Sequence, residues 1–196
     1  MATPERRTRD KERTRRAILD AAERIFTERG AQVSLADIAA AAGVTKGGLM
    51  HHFPTRDALL RGVCERCVAR MWEEVRAHVD ISENRPGKFT RGYVRALTGD
   101  SAYLAKAFSP TGLIAVLGVV IPDEELNRRD ARAWNAAFEA DGLPPGRTLA
   151  IRFAAEGLAT ALSSPYLTPE QLAVARAELL ALTEAPRRRG ERSVAG

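Results

Sequence analysis

A chain of 196 residues with 45% apolar and 28% charged side chains has the composition of an ordinary globular protein, which excludes a chain disordered throughout. The net charge of +5 sits at the ends: residues 1–16 carry seven basic residues against three acidic, residues 187–192 carry four arginines against one glutamate, and the body between is close to neutral. Two cysteines, Cys64 and Cys67, cannot frame a secreted mini-protein, the first residues lack the apolar core of a signal peptide, and the longest apolar run, Leu113–Ile121, is about half a membrane span, so a cytoplasmic protein outside the membrane is expected.

Almost every segment reads as helix, and an all-α fold follows: Leu and Ala dominate, and no period-2 alternation lasts long enough for a sheet. A first helix is predicted from about Asp10 to Arg29, with Ile18, Ala22, Ile25 and Phe26 on one stripe and Gly30 stopping it. A second starts after Ser34, where Ser34 and Asp37 form a variant of the capping box, and ends at Gly43. Thr45 caps a short third helix to about His52, which Pro54 terminates. Thr55 caps a long fourth helix to about Val79, striped by Leu60, Val63, Cys64, Cys67, Val68, Met71 and Val75. Prolines then punctuate helices predicted at 87–98, 101–108, 111–120, 123–141, 146–163 and 169–184. The organisation expected is a helix-turn-helix domain with a basic arm at 1–55, a larger helical domain at 56–186, and a disordered basic tail at 187–196.

The specific signal lies in residues 34–53, SLADIAAAAGVTKGGLMHHF. Gly43 supplies the positive φ of a tight helix-to-helix turn, Ala39 lets the two helices approach, and Val44, Leu49 and Phe53 fill the wedge between them. That pattern is a helix-turn-helix, whose second helix enters the DNA major groove. The stretch resembles the TetR family of bacterial transcriptional repressors at Ser34, Ile38, Ala39, Ala42, Gly43, Val44, Thr45, Gly47, Leu49, His52 and Phe53, and upstream at the Arg16–Phe26 segment of the first helix. The resemblance covers about residues 13–63, a third of the chain, and beyond it only the all-helical character matches. One position departs: the family commonly places a phosphate-contacting Tyr where this chain has Met50, and Met cannot donate a hydrogen bond.

The residues expected at DNA are Arg13, Arg16, Ser34, Thr45, Lys46, Gly47, Gly48, His51, His52, Thr55 and Arg56. Lys46 opens the recognition helix and can reach a phosphate or a guanine edge. Gly47 and Gly48 each cost roughly 1 kcal/mol of helix propensity, which suggests that a side chain there would obstruct close approach. Thr45 and Ser34 can cap helices and donate to phosphates, while Thr55 and Arg56 are candidate backbone clamps. His51 and His52 diverge by about 100° on a helix and cannot easily share one metal ion, so no metal site and no cofactor is expected.

The resemblance implies a homodimer built from the last two helices, and Phe153, Gly157, Leu158, Leu162, Leu172 and Leu179 are its candidate interface; a hairpin packing only on its own subunit is the alternative. It also implies an effector pocket, for which Met71, Trp72, Tyr93, Tyr103, Phe108, Leu113, Leu117, Trp134 and Phe138 are the candidate lining; plain core packing accounts for most of them taken singly. The function so implied is a regulator of transcription, a repressor released from a palindromic double-stranded operator by a small hydrophobic or aromatic ligand. The alternatives are a DNA-binding regulator without an effector, an architectural DNA binder, and a redox sensor through Cys64 and Cys67; burial on the fourth helix's apolar stripe favours inert thiols. No G-x-S-x-G, H-E-x-x-H, P-loop or dinucleotide motif occurs, so an enzyme is not expected.

Overall fold

The computed structural model describes residues 4–30, 32–109, 112–115 and 124–184. The regular elements among them are helical: α1 (Pro4–Arg29), α2 (Leu35–Ala41), α3 (Lys46–His52), α4 (Arg56–Ala77), α5 (Lys88–Arg95), α6 (Ala102–Ala107), α7 (Glu124–Ala140), α8 (Pro145–Ala161) and α9 (Pro169–Leu182). Between α5 and α6 the chain runs through a widened helical turn, Ala96–Asp100, kinked at Thr98 and Gly99. Leu117, most of the helix expected at 111–120, and the tail 187–196 lie outside the described residues. None of the helices among the described residues is long and apolar enough to cross a membrane.

Local chemistry sets the boundaries. The Ser34 side chain accepts from Asp37 N and the Asp37 carboxylate accepts from Ser34 N, so the capping box at α2 is complete. Thr45, Thr55, Ser101 and Thr168 each satisfy a free backbone N–H at the start of α3, α4, α6 and α9, a contribution of about 1 kcal/mol apiece. Gly43 closes the α2–α3 turn at φ +69°, a region that costs other residues strain. α5 is capped from a distance. Gly87 at its N-cap has no side chain, and Asp141 takes over, accepting from Phe89 N (2.8 Å), Thr90 N (2.9 Å) and the Thr90 hydroxyl (2.6 Å).

Two cores result. The first gathers Ile18, Ile25 and Phe26 of α1, Ile38 and Ala39 of α2, Leu49 of α3, Phe53, and Leu59, Leu60, Val63 and Cys67 of α4. Leu113, far along the chain, is sealed into this same core at 2% exposure. The second gathers Val75 of α4, Tyr93 and Val94 of α5, Leu104 of α6, Trp134 and Phe138 of α7, Ile151, Ala155 and Ala159 of α8, and Leu179 of α9. α4 is therefore the common rod, with its first half in one core and its last turns in the other. A buried guanidinium pins the second unit: Arg91, 2% exposed, donates to Glu83 (2.7 Å from Nε) and to the Thr183 carbonyl (3.2 Å). Removing one member of such a pair strands its partner, at a cost of about 3–5 kcal/mol.

Candidate nucleic-acid interface

α2 and α3 meet through the Ala42–Thr45 turn, with Ile38, Ala39 and Leu49 facing inward. The outward side of α3 is open: Lys46, Gly47, Met50 and His51 are exposed. Of the two glycines, only Gly47 has no explanation inside the chain. Both lie outside the positive-φ region, and a Cβ on Gly47 would meet only Thr45 Oγ1 at 3.9 Å. A Cβ on Gly48 would meet Thr45 Oγ1 at 3.3 Å, which crowds the cap. The helix thus forgoes roughly 1 kcal/mol at Gly47 with no internal return.

The expected contact residues divide into three groups. Lys46, His51 and Met50 present side chains on the open face. Ser34, Thr45 and Thr55 use their hydroxyl oxygens as cap acceptors, and Ser34 also donates to Asp37 (2.6 Å), which leaves the Thr45 and Thr55 O–H groups to point elsewhere. Arg56 is turned back into the protein, donating to the Val33 carbonyl and tying α4 to the segment entering α2. Arg13 pairs with Asp10 at 3.4 Å, and Arg16 lines a groove between α1 and α4.

Sequence reasoning missed Lys11 and Arg15. The inward stripe of α1 runs Ile18, Ala22, Ile25, and its extension toward the N-terminus passes through Arg15 and Lys11 at helical spacing. Arg15 lies over the Phe53 ring at 4.8 Å, at the end of α3. His52 sits beside it, its Nδ1 buried without a hydrogen-bond partner among the described residues. Burial lowers the His52 pKa, and the neighbouring charges of His51, Lys11 and Arg15 lower it further. Protonation of the ring is thus disfavoured beside a cationic cluster. The stripe periodicity carried this signal, once continued past its apolar part.

The candidate effector residues fall in separate places. Trp72, Tyr93, Trp134 and Phe138 come together: Trp72 and Trp134 stack at 3.8 Å and 14°, and Tyr93 and Phe138 meet edge to face at 5.1 Å. Met71 and Phe108 pack against the same core. Tyr103 packs against that core as well, its hydroxyl donating to Cys67 Sγ at 3.7 Å under the Arg70 guanidinium, whereas Leu113 belongs to the first core. Burial pushes the Cys67 thiol up, away from the reactive thiolate. On the last two helices Phe153 is 60% exposed, Gly157 is open, Leu158, Leu162 and Leu172 are half-buried, and Leu179 is turned into its own core. Leu149 and Val174 add to the exposed apolar surface of α8 and α9. Among the described residues no three His, Cys, Asp or Glu side chains are grouped to hold a metal.

Residues 18–63 match the family described as bacterial regulatory proteins, tetR family, and residues 87–184 match a tetracyclin repressor-like C-terminal domain. Over 62 residues the chain is 44% identical to the HTH-type transcriptional regulator TtgR of Pseudomonas putida and, equally, to the probable HTH-type transcriptional regulator ArpR of the same species. That match spans 31% of this chain and only 30% of each relative's length. A transcriptional regulator from Rhodococcus sp. Rha1 shares the fold at TM-score 0.69 and 21% identity, over 86% of this chain and 95% of that one. The multidrug binding protein EbrR, solved with imidazole, aligns at TM-score 0.58 and 25% identity over 94% and 93% of the two chains.

Proposed function

Because the chain belongs to the TetR family of bacterial regulatory proteins, we propose that it is a cytoplasmic repressor that binds a palindromic operator as a homodimer and leaves it when a small ligand binds. The observation that carries the reading is the open face of α3, where Lys46 stands beside Gly47, a glycine that the fold itself does not need. A phosphate or base edge brought against that backbone accounts for Gly47. Lys46, His51 and the Thr45 and Thr55 hydroxyls then serve as contacts, with Arg13, Arg16, Lys11 and Arg15 toward the flanking backbone. Arg56 serves by positioning α2.

The exposed apolar strip on α8 and α9 supports pairing of two subunits through Phe153, Gly157, Leu158, Leu162 and Leu172. Two recognition helices must span successive grooves, about 34–36 Å apart, which a dimer provides. In this reading residues 1–55 form the DNA-binding unit and 56–186 the effector and dimerisation unit, with α4 passing movement between them. A ligand that binds one arrangement of α4 better than the other shifts the equilibrium. The likeness to a multidrug binding protein supports the ligand-responsive half.

Nuclease footprinting of the DNA beside the protein's own gene tests the proposal. A protected palindrome, lost in Lys46→Ala, is the expected result. Failure to bind any of that DNA at low salt overturns it.

A further inference from the structure

A groove of about 710 Å³ runs between α4 and α7. Its half-buried polar elements are Trp72 and Asp130, and its other charged residues, Glu65, Glu73, Arg76 and Arg129, are exposed at the rim. Trp72 has one face stacked on Trp134 at 3.8 Å, so the Arg76 guanidinium, 5.0 Å from the ring centre, lies over the other face. The outer face of this indole therefore already accepts a flat, delocalised cation from within the chain.

Asp130 supplies the matching charge. Its carboxylate accepts from Trp72 Nε1 at 3.0 Å, which fixes it beside the indole. It makes no ion pair within 4.0 Å among the described residues, and burial raises its pKa although the Trp72 and Trp134 indoles and the charge of Arg152 act the other way. The sign of the site follows from mobility as well as count. Of the three negative groups the half-buried one, Asp130, is held by the indole, while both positive groups ride on long exposed stems that can swing out. An anion stacked on Trp72 would lie against Asp130, whereas a cation would relieve it.

We infer that the groove between α4 and α7 binds a flat organic cation, an aromatic ring with delocalised positive charge, which stacks on Trp72 in place of the Arg76 guanidinium and sets its charge against Asp130. The inference rests on the ligand-responsive reading above and names the ligand class. Glu65, Trp72 and Arg76 are on α4, the helix whose first half lies in the core behind α3, so an occupant wedged there acts on the rod that carries the DNA-reading face.

Trp72 and Trp134 are the chain's two tryptophans and stack on each other, so tryptophan fluorescence reports on the indole pair that backs this groove. The full-length protein is titrated with N-methylquinolinium, with its neutral isostere 1-methylnaphthalene and with the anion 1-naphthoate, and operator binding is followed in parallel. Saturable quenching by the cation is expected, with at least about 10-fold weaker binding of the other two. Asp130→Asn weakens the cation by about 10-fold or more, with the thermal midpoint checked. Arg76→Ala tightens it by about 2- to 5-fold, a gain that misfolding cannot imitate. Naphthoate binding as tightly as the cation, or Arg76→Ala weakening the cation, overturns the assignment. Cation quenching without operator release overturns the ligand-release half of the proposed function and leaves the site standing. Operator release by a neutral or anionic compound, with no quenching by the cation, does the reverse.

Discussion

Replacing Gly47 by Ala separates what the fold wants from what DNA wants. Gly47 is the second residue of α3, its φ is outside the left-handed region, and the new methyl would meet only Thr45 Oγ1 at 3.9 Å. Nothing in the chain resists the change. The helix gains about 0.5–1 kcal/mol of propensity, toward the lower end so near its start. For a chain of this size that raises the melting temperature by about 1–4 °C. The same methyl stands on the open face, where it holds off an approaching groove, and operator affinity falls about 10-fold or more, some 1.4 kcal/mol. Gly48→Ala serves as the comparison: its methyl crowds the Thr45 cap at 3.3 Å, so the propensity gain is offset there and stability stays about level. Differential scanning calorimetry reads the first effect, and fluorescence anisotropy on the footprinted operator reads the second. Gly47→Ala with a raised melting temperature and an unchanged operator Kd refutes the reasoning, because the glycine then serves no approach at all. A lowered melting temperature refutes the account of the space around it.

Two further outcomes follow from the same geometry. Phe153, 60% exposed on α8, changed to Glu converts the proposed dimer to monomer in sedimentation equilibrium while helical circular dichroism is retained; a dimer that survives removes α8 from the interface. The hydrogen bonds from the Ser34 side chain and backbone hold the Asp37 carboxyl below its ordinary 3.8, so its contribution is fully present above that value and is lost as pH falls through the lowered one; Asp37→Asn should flatten that part of the stability-against-pH curve measured by urea unfolding.

The local features were the legible ones. The capping box at Ser34 and Asp37, the turn at Gly43 and the stripe of α4 all depend on neighbours a few residues apart, and each stands in the structure as its pattern reads. α1 starts at Pro4 rather than near Asp10 because its first turns carry no apolar period to mark them, although Arg, Lys and Glu are good helix formers. The cap that Asp141 gives α5, the burial of Leu113 in the first core and the turning of Arg56 onto Val33 join residues far apart in the chain, and no local pattern encodes them. The site divides along the same line. The recognition helix was readable, because its glycines and Lys46 are contiguous, whereas the partnership of Arg15 with Phe53 depends on how α1 packs over α3. The candidate pocket residues were visible as a set, yet only packing sorts the stacked pair Trp72 and Trp134 from Leu113, which lies in the other core.

Leu113 has a consequence for anyone wishing to transplant the DNA-reading head onto another sensor. The natural cut, after α4, discards a plug that the head's own interior was shaped around, and leaves a void lined by residues that never meet solvent in the intact chain. A hybrid protein must carry residues 112–115 along, or refill the gap with a larger side chain from within. Modularity in this architecture stops one leucine short of the seam that the order of the helices suggests.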